Sequence, residues 1–484
     1  MTLRRPLASF RVSTGLLSQS LGLLTGLLAL TLAPIAQASD LLSVYAAAKA
    51  NDPVLRQAVA VTDATKARVP QARASLLPQL SANANTSFTE QSFPQTFTDT
   101  DPTSPTFGQT GGIPDQAFND NTWSATVSQP IINVPSWFTY TSSKANATAA
   151  EWNLASTEQT LIQRVVNAYM NVLRVEDQLE ASKAEESAVG RQLEQVQQRF
   201  DVGLVAVTDV LESQAAFDDV VVRRVQAEGD QEIFFETLST LTTVPFNELG
   251  KLEESLAIVD PNPVEEEDWV TTALATNLNI RSAEAQLSAA RRTLRARRSE
   301  RLPTVTASAS YQDIKSGGPS IFGNGILIER EVYALDINLP IFLGGGIGAR
   351  SKEAGALVEQ ARYILSEQQL TVARDTRNFY RAVATDVIRV GARKNAIKSA
   401  QSALEATETG YEVGTRNIVD VLLAQQRLYA SQFDYADSRY NYVNNMIALK
   451  QAAGTLSEAD LEALNESISD SDTVKRLSTI PAAN

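Results

Sequence analysis

Three stretches of this sequence carry residue types at spacings that could do chemistry. Gly344-Gly345-Gly346-Ile347-Gly348-Ala349 satisfies G-x-G-x-x-A between a strand pattern and a helical one, with Glu367 about twenty residues on, the fingerprint of a dinucleotide site. The acidic run 265–268, Glu-Glu-Glu-Asp, could be offered to a metal ion. Asp209 and Asp420 stand just beyond two copies of one turn: "RFDVGLVAVTDVL" from Arg199 is echoed by "GYEVGTRNIVDVL" from Gly410, at a spacing of 211 residues. With no Cys and no His in the chain, disulfides, thiol nucleophiles, imidazole bases and histidine metal sites are all excluded.

The first two stretches have plainer readings. The strand before the glycines carries Asp336 and Asn338 on one face, whereas a nucleotide-fold strand is buried on both. The helical pattern after them is several times too long for a crossover, and the matching place in the first half, "NVPSW", has no glycine. Glycines here read as a bend where strand becomes helix. The acidic run precedes Trp269-Val270 and reads as a helix N-terminus favoured by the helix dipole. There is no P-loop, no G-x-S-x-G and no carboxylate pair with a pocket, so neither an enzyme nor a cofactor nor a metal is expected. For Asp209 and Asp420, capping of the returning helices is the simple alternative to a functional role.

What must position these carboxylates is a chain written twice. "RASLLPQLSANANTSF" from Arg73 matches "RSERLPTVTASASY" from Arg298, and "VSQPII" from Val127 matches "INLPIF" from Ile337. Two structural repeats are expected, 39–259 and 269–454, with the proline-rich linker 260–268 between them and a C-terminal segment and tail at 455–484. Four segments alternate at period two, at about 79–90, 121–132, 303–312 and 331–342. Leu80, Ala82, Ala84 and Phe88 oppose Ser81, Asn83, Asn85 and Ser87, and Tyr333, Leu335 and Ile337 oppose Asp336 and Asn338. Each is about ten residues, enough for a tilted strand to cross a bilayer. Their polar faces are rich in Ser, Thr and Asn, as a wet lumen would be. Trp137, Phe138 and Tyr140 follow one strand end, where an interfacial aromatic girdle would fall. The intervening stretches, about 91–121 and 312–331, are rich in Gly, Pro, Thr and Asp and read as exposed loops.

Between strand and turn run long helical patterns. Leu161, Val165, Ala168, Val172, Val175 and Leu179 step by four and three, and Val189, Leu193, Val196 and Phe200 resume the register. Phe379, Val383, Val390, Ile397 and Leu404 do the same in the second half. A period of 3.5 is a coiled-coil seam. Some 65 residues would span about 100 Å, and such a helix needs neighbours to pack on. The hairpin tips fall at 200–209 and 411–420. Residues 1–38 run from basic Arg4, Arg5 and Arg11 through an apolar stretch to Ala36-Gln37-Ala38, which reads as a secretory signal. A formal charge of −14 argues against a nucleic-acid partner.

The chain resembles the TolC-like outer membrane efflux protein family, the exit ducts of Gram-negative efflux and type I secretion systems. The likeness runs from "LLSVYAAAKANDPVLRQA" through "LLPQL", "QRFDVGLVAVTDV" and "GYEVGTRNIVDVL" to "AAGTLSEADLEALN". It implies a mixed α and β fold and a homotrimer: four strands from each copy close one twelve-stranded transmembrane β-barrel, continued by a long periplasmic α-helical barrel with a mixed equatorial region. It implies location in the outer membrane, contact with its lipid, and two partners, a periplasmic adaptor and an inner-membrane pump of RND, ABC or MFS type. It also implies roles for residues. The second hairpin coils inward and closes the periplasmic mouth; Asp209 takes bonds from Tyr411 and Arg416, Gln192 pairs with Glu408, and Thr208 joins the cluster. Asp420 forms a threefold carboxylate ring at the constriction. Where the family pattern has a second acidic ring this chain has Leu423, which predicts a weaker cation preference and a more hydrophobic throat. Val202, Gly203 and Leu204, with Val413, Gly414 and Thr415, form the adaptor-docking tips. Opening is an iris-like loosening of the inner hairpins. The competing reading is a structural periplasmic coiled coil without a channel.

Overall fold

A computed structural model describes residues 40–92, 96–112, 115–320 and 323–477; the signal expected at 1–38 lies outside them. In chain order the elements are α1 (Leu41–Asn51), α2 (Pro53–Ala74), β1 (Gln79–Gln91), β2 (Thr96–Thr98), β3 (Thr110–Gly112), β4 (Gln116–Ile132), α3 (Val134–Asp201), α4 (Val207–Thr242) and β5 (Glu248–Leu252). There follow α5 (Glu266–Thr276), α6 (Leu278–Ser299), β6 (Thr304–Ser320), β7 (Gly323–Asn338), α7 (Gly346–Glu412), α8 (Ile418–Ala452), α9 (Glu458–Asn465) and β8 (Ile468–Lys475). The order of two helices, a strand pair, a very long helix and a shorter returning helix thus occurs twice.

Local chemistry sets the boundaries. Asp52 caps α2 by accepting from the Leu55 amide at 3.0 Å, and Pro53 occupies the first turn, where no amide partner is needed. Asn133 caps α3 through the Ser136 amide at 3.0 Å. The glycine run bends the chain into α7: Gly344 and Gly345 have φ of +58° and +81°, left-handed values that glycine adopts without strain.

Four strands form one antiparallel sheet in the order β1-β4-β6-β7. Leu80 lies opposite Val127, Val127 opposite Ala309, and Ala309 opposite Tyr333, so one face carries a row of apolar side chains. The adjacent row, Ser81, Thr126, Ser310 and Val332, lies on the other face and is mostly hydroxylic. Two boundaries depart from expectation. The segment 312–331 is not a loop: β6 and β7 continue through it, with Ile314 paired to Ile328 and Lys315 to Leu327, because β-branched residues outweigh the scattered glycines. At the other end β7 stops at Asn338 rather than 342, since Pro340 has no amide to continue the ladder. β4 likewise starts at Gln116, and the 91–121 stretch holds the small β2–β3 hairpin.

Each strand of the large sheet adjoins a helix in the chain, and the helices keep the strand order. α2 packs on α3, α3 on α6 and α6 on α7. Farther along, α3 is flanked instead by α4 and α8, and α7 by α8. The contacts follow: Ser142 Oγ donates to Ala289 O on α6 at 3.0 Å, whereas Arg174 Nη2 reaches Asn441 on α8 at 2.8 Å. α3 and α7 have 68 and 67 residues, α4 and α8 only 36 and 35. At 1.5 Å per residue the long pair spans about 100 Å.

The main core lies at the middle of α3, where Val165, Tyr169, Met170 and Leu173 meet Leu41 and Val44 of α1, Phe235 and Leu238 of α4, Leu249 of β5 and Leu449 of α8. β5 pairs with β8 beside it. Tyr169 Oη donates to Gly250 O at 2.8 Å. A Cβ on Gly250 would stand 2.5 Å from Ser469 O, so only glycine lets β5 and β8 approach this closely. The acidic run opens α5, with Glu266 and Glu267 paired to Arg381 and Arg377 of α7 at 2.9 and 3.0 Å.

Candidate functional site: the hairpin tips

The repeated turn is the same structure in both halves. α3 ends with the Leu204 amide on Arg199 O at 2.9 Å and the Gly203 amide on Phe200 O at 2.8 Å. α7 ends with the Thr415 amide on Gly410 O at 2.8 Å and the Gly414 amide on Tyr411 O at 3.1 Å. Gly203 and Gly414 both have φ of +77°. This double bond around a left-handed residue is the Schellman stop, and it leaves Val202, Leu204 and Val413 exposed at the tips.

The returning helices then differ. Asn417 caps α8, accepting from the Asp420 amide at 2.8 Å, and the Asp420 carboxylate reaches back to the Asn417 amide at 3.5 Å. That reciprocal capping box satisfies two otherwise orphaned donors. α4 has Ala206 in the corresponding place and no side-chain cap. Among the described residues Asp209 accepts only a long 3.5 Å bond from Thr208 Oγ1. Capping therefore accounts for Asp420 and not for Asp209. Asn417 was missed from sequence, although N-x-x-D before an apolar run is the written form of such a box.

Within one chain the expected polar links do not form among the described residues. Arg416 lies 3.7 Å from Asp420 Oδ2, one helical turn away on its own hairpin, rather than on Asp209. The Tyr411 hydroxyl is buried without a partner among the described residues. Gln192 is buried and Glu408 half-buried, with no hydrogen bond between them. What does join the tips is the Arg199 guanidinium, 5.1 Å from the Tyr411 ring centroid, over an apolar cluster of Val189, Val196, Val220, Leu404, Ile418 and Val421. Arg199 aligns with Gly410 in the repeat. A Cβ at Gly410 would stand 2.8 Å from Arg416 Cγ, so a side chain there would require Arg416 to shift. Leu423 is exposed and borders an open groove of about 350 Å³ between α4 and α8, with Glu212, Asp219 and Arg223 on its other side.

Each hairpin is braced along its length. Arg223 of α4 holds Glu185 of α3 at 2.7 Å, and Arg393 of α7 is paired with Asp434 of α8. Burial pushes the Glu185 carboxyl above its ordinary range even with Arg223 beside it. The hairpins are joined to each other near the core, where Arg174 meets Asp437 at 2.8 Å and Tyr440 Oη donates to Asp177 at 2.6 Å. Burial raises both Asp177 and Tyr440 above their usual values. The halves are thus bonded through polar pairs at mid-height and held at the tips by one cation–π contact and apolar packing.

The match to known proteins is decisive: the model of the family described as "Outer membrane efflux protein" covers residues 44–243 and 269–455. The chain belongs to that family. It is 32% identical over 443 residues to outer membrane protein TolC of Vibrio cholerae, covering 90% of this chain and 95% of that one. It is 26% identical over 441 residues to the alkaline protease secretion protein AprF of Pseudomonas aeruginosa, 91% and 89% of the two chains. The CmeC outer membrane channel of Campylobacter jejuni superposes with a TM-score of 0.72 at 17% identity, covering 89% of this chain and 90% of that chain. Like its family, this chain is an outer-membrane exit duct for efflux and secretion.

Proposed function

We propose that three copies of this chain close a single duct, with their sheets pooled into a twelve-stranded barrel and their helices continued as a periplasmic tunnel. One observation carries this reading: among the described residues the four-stranded sheet leaves β1 and β7 as unpaired edges while one of its faces is apolar and exposed, Tyr333 at 79% and Ile337 at 66%. An open edge cannot stand in lipid, and four strands cannot close on themselves. Trp123 and Tyr311, 5.0 Å apart, and Trp137 and Tyr140, 6.0 Å apart, suit the two aromatic girdles.

The tips form the gate in this reading. α7 and α8 coil inward, and the unsatisfied Tyr411 hydroxyl and the nearly free Asp209 carboxylate are available to a neighbouring copy, with Arg416, Thr208, Gln192 and Glu408 beside them. Asp420 of three copies forms a carboxylate ring, with exposed Leu423 next to it. A periplasmic adaptor meets Val202–Leu204 and Val413–Thr415, and an inner-membrane pump supplies the cargo, whether small molecule or protein. Residues 1–38 direct export and are removed.

Planar-bilayer conductance of the purified protein beside Asp420→Ala tests the duct and the ring together. A trimeric, cation-preferring pore whose preference falls in the variant is expected. A detergent-solubilised monomer without conductance overturns the duct, and unchanged selectivity removes the ring.

A further inference from the structure

The last turns of α6 read Arg291-Arg292-Thr293-Leu294-Arg295-Ala296-Arg297-Arg298 in a chain of net charge −14. Arg291, Arg295 and Arg298 step by four and three, so they share one helix face. All three are exposed, and none has an ion pair or hydrogen bond among the described residues. Their neighbours are engaged: Arg292 Nη1 donates to Thr141 O at 2.7 Å, and Arg297 holds Glu300 at 2.8 Å.

Packing narrows the side on which this stripe lies. α6 is flanked by α3 and by α7 within the chain, so in the barrel reading its two remaining faces look out of the wall or into the tunnel. The Arg292 bond to Thr141 bridges α6 to the α3 face that bears Trp137, Tyr140 and Lys144, where Lys144 Nζ stands 5.9 Å from the Tyr140 ring. Exposed Ile131 lies at the end of β4 and exposed Trp137 in the first turns of α3, so that face adjoins the end of the sheet's apolar band. The stripe therefore begins just where the apolar band ends. The opposite border of the same sheet face carries three acids, Asp313, Glu329 and Glu331, against one base, Lys315, so its net charge is opposite to that of the stripe.

We propose that Arg291, Arg295 and Arg298 bind the phosphate headgroups of anionic phospholipids in the periplasmic leaflet, seating the duct at a fixed depth. This rests on the barrel reading above. Seven residues of helix span about 10 Å, which matches the headgroup layer together with the ~8 Å reach of unscreened charge at physiological salt. Guanidinium recognises phosphate through paired N–H donors. Arg281 lies on the same face about 15 Å farther from the band and is occupied by Glu284 at 3.3 Å.

The test titrates the detergent-solubilised full chain with short-chain phosphatidylglycerol, phosphatidylcholine or inorganic phosphate and follows thermal unfolding and conductance. Phosphatidylglycerol alone is expected to stabilise the wild type. The Arg291→Gln/Arg295→Gln/Arg298→Gln variant should need at least tenfold more of it, at roughly fivefold per arginine near a charged surface. The corresponding triple lysine variant should keep most of the response and Arg281→Gln all of it. An equal response in the glutamine variant, or inorganic phosphate acting as well as lipid, overturns the proposal. So does a changed ion selectivity with the lipid response intact, which would put the stripe inside the tunnel. If the triple variant fails to assemble, Arg295→Gln alone must show a partial shift, and no shift overturns it. A conducting trimer without the lipid response would leave the duct standing and remove only the headgroup site.

Discussion

The Arg199 guanidinium sits 5.1 Å from the centroid of the Tyr411 ring and so ties the last turn of α3 to the last turn of α7. Such a contact contributes about 0.5–1 kcal/mol when exposed, which is roughly a two- to fivefold bias per copy. Arg199→Gln is expected to raise the open fraction by at least that factor in single-channel recordings, with the melting midpoint lowered by no more than about 2 °C. Tyr411→Phe keeps the ring and removes only the unpartnered hydroxyl. If that hydroxyl bonds a neighbouring copy, the phenylalanine form opens more readily too, and an unaltered open fraction would discard that link.

In the proposed duct Asp420 has two separable jobs, a cap and a ring. Asp420→Asn should abolish most of the cation preference while leaving much of the cap. Asn417→Ala should do the reverse, costing about 1 kcal/mol of stability with selectivity intact. Melting curves and reversal potentials on the two variants check this, and a selectivity change in Asn417→Ala would mean that the cap positions the ring.

The tip glycines need their left-handed backbone. Gly203→Ala and Gly414→Ala are each expected to cost about 1–2 kcal/mol, read as a lower denaturation midpoint. Space is not the obstacle, since a Cβ at either position meets nothing within 4 Å.

The mid-height joint predicts a pH dependence. Asp177 is raised by burial, only partly offset by the Tyr440 hydrogen bond. A carboxyl whose folded value is raised binds its proton more tightly in the native state. Its contribution to stability is therefore fully present below the unfolded value and is lost as pH rises through the folded one. Asp177→Asn still accepts from Tyr440 and cannot ionise, so its melting temperature should fall less between pH 4 and about 7 than that of the wild type. Parallel curves would sink the assignment.

Much of this architecture could be read before any coordinates. Alternation at Leu80, Ala82 and Ala84 gave strands because one face of a sheet must repeat every second residue, and the Val165–Val172–Leu179 spacing marked the seam that is buried in α3. The strand extension past Gln312 was hidden, because Gly317, Gly318 and Pro319 look like loop and only the partner strand makes Ile314 pair with Ile328. At the tips the two carboxylates drew attention, yet Asn417 against Ala206 is what distinguishes them. That difference was visible once the repeats were aligned. The Arg199–Tyr411 contact was not, since no local rule brings the ends of two separate hairpins together.

In the proposed trimer the wall would have unequal staves. α3 and α7 run unbroken from the sheet to the tips, while the places beside them are filled by one short helix above mid-height and a different one below. A force applied at the mouth travels stiffly up the two continuous rods, but the seams between short helices transmit little bending. If three copies close a duct as proposed, dilation at the mouth should die out near those splices, so that the aperture could move while the barrel kept its circumference.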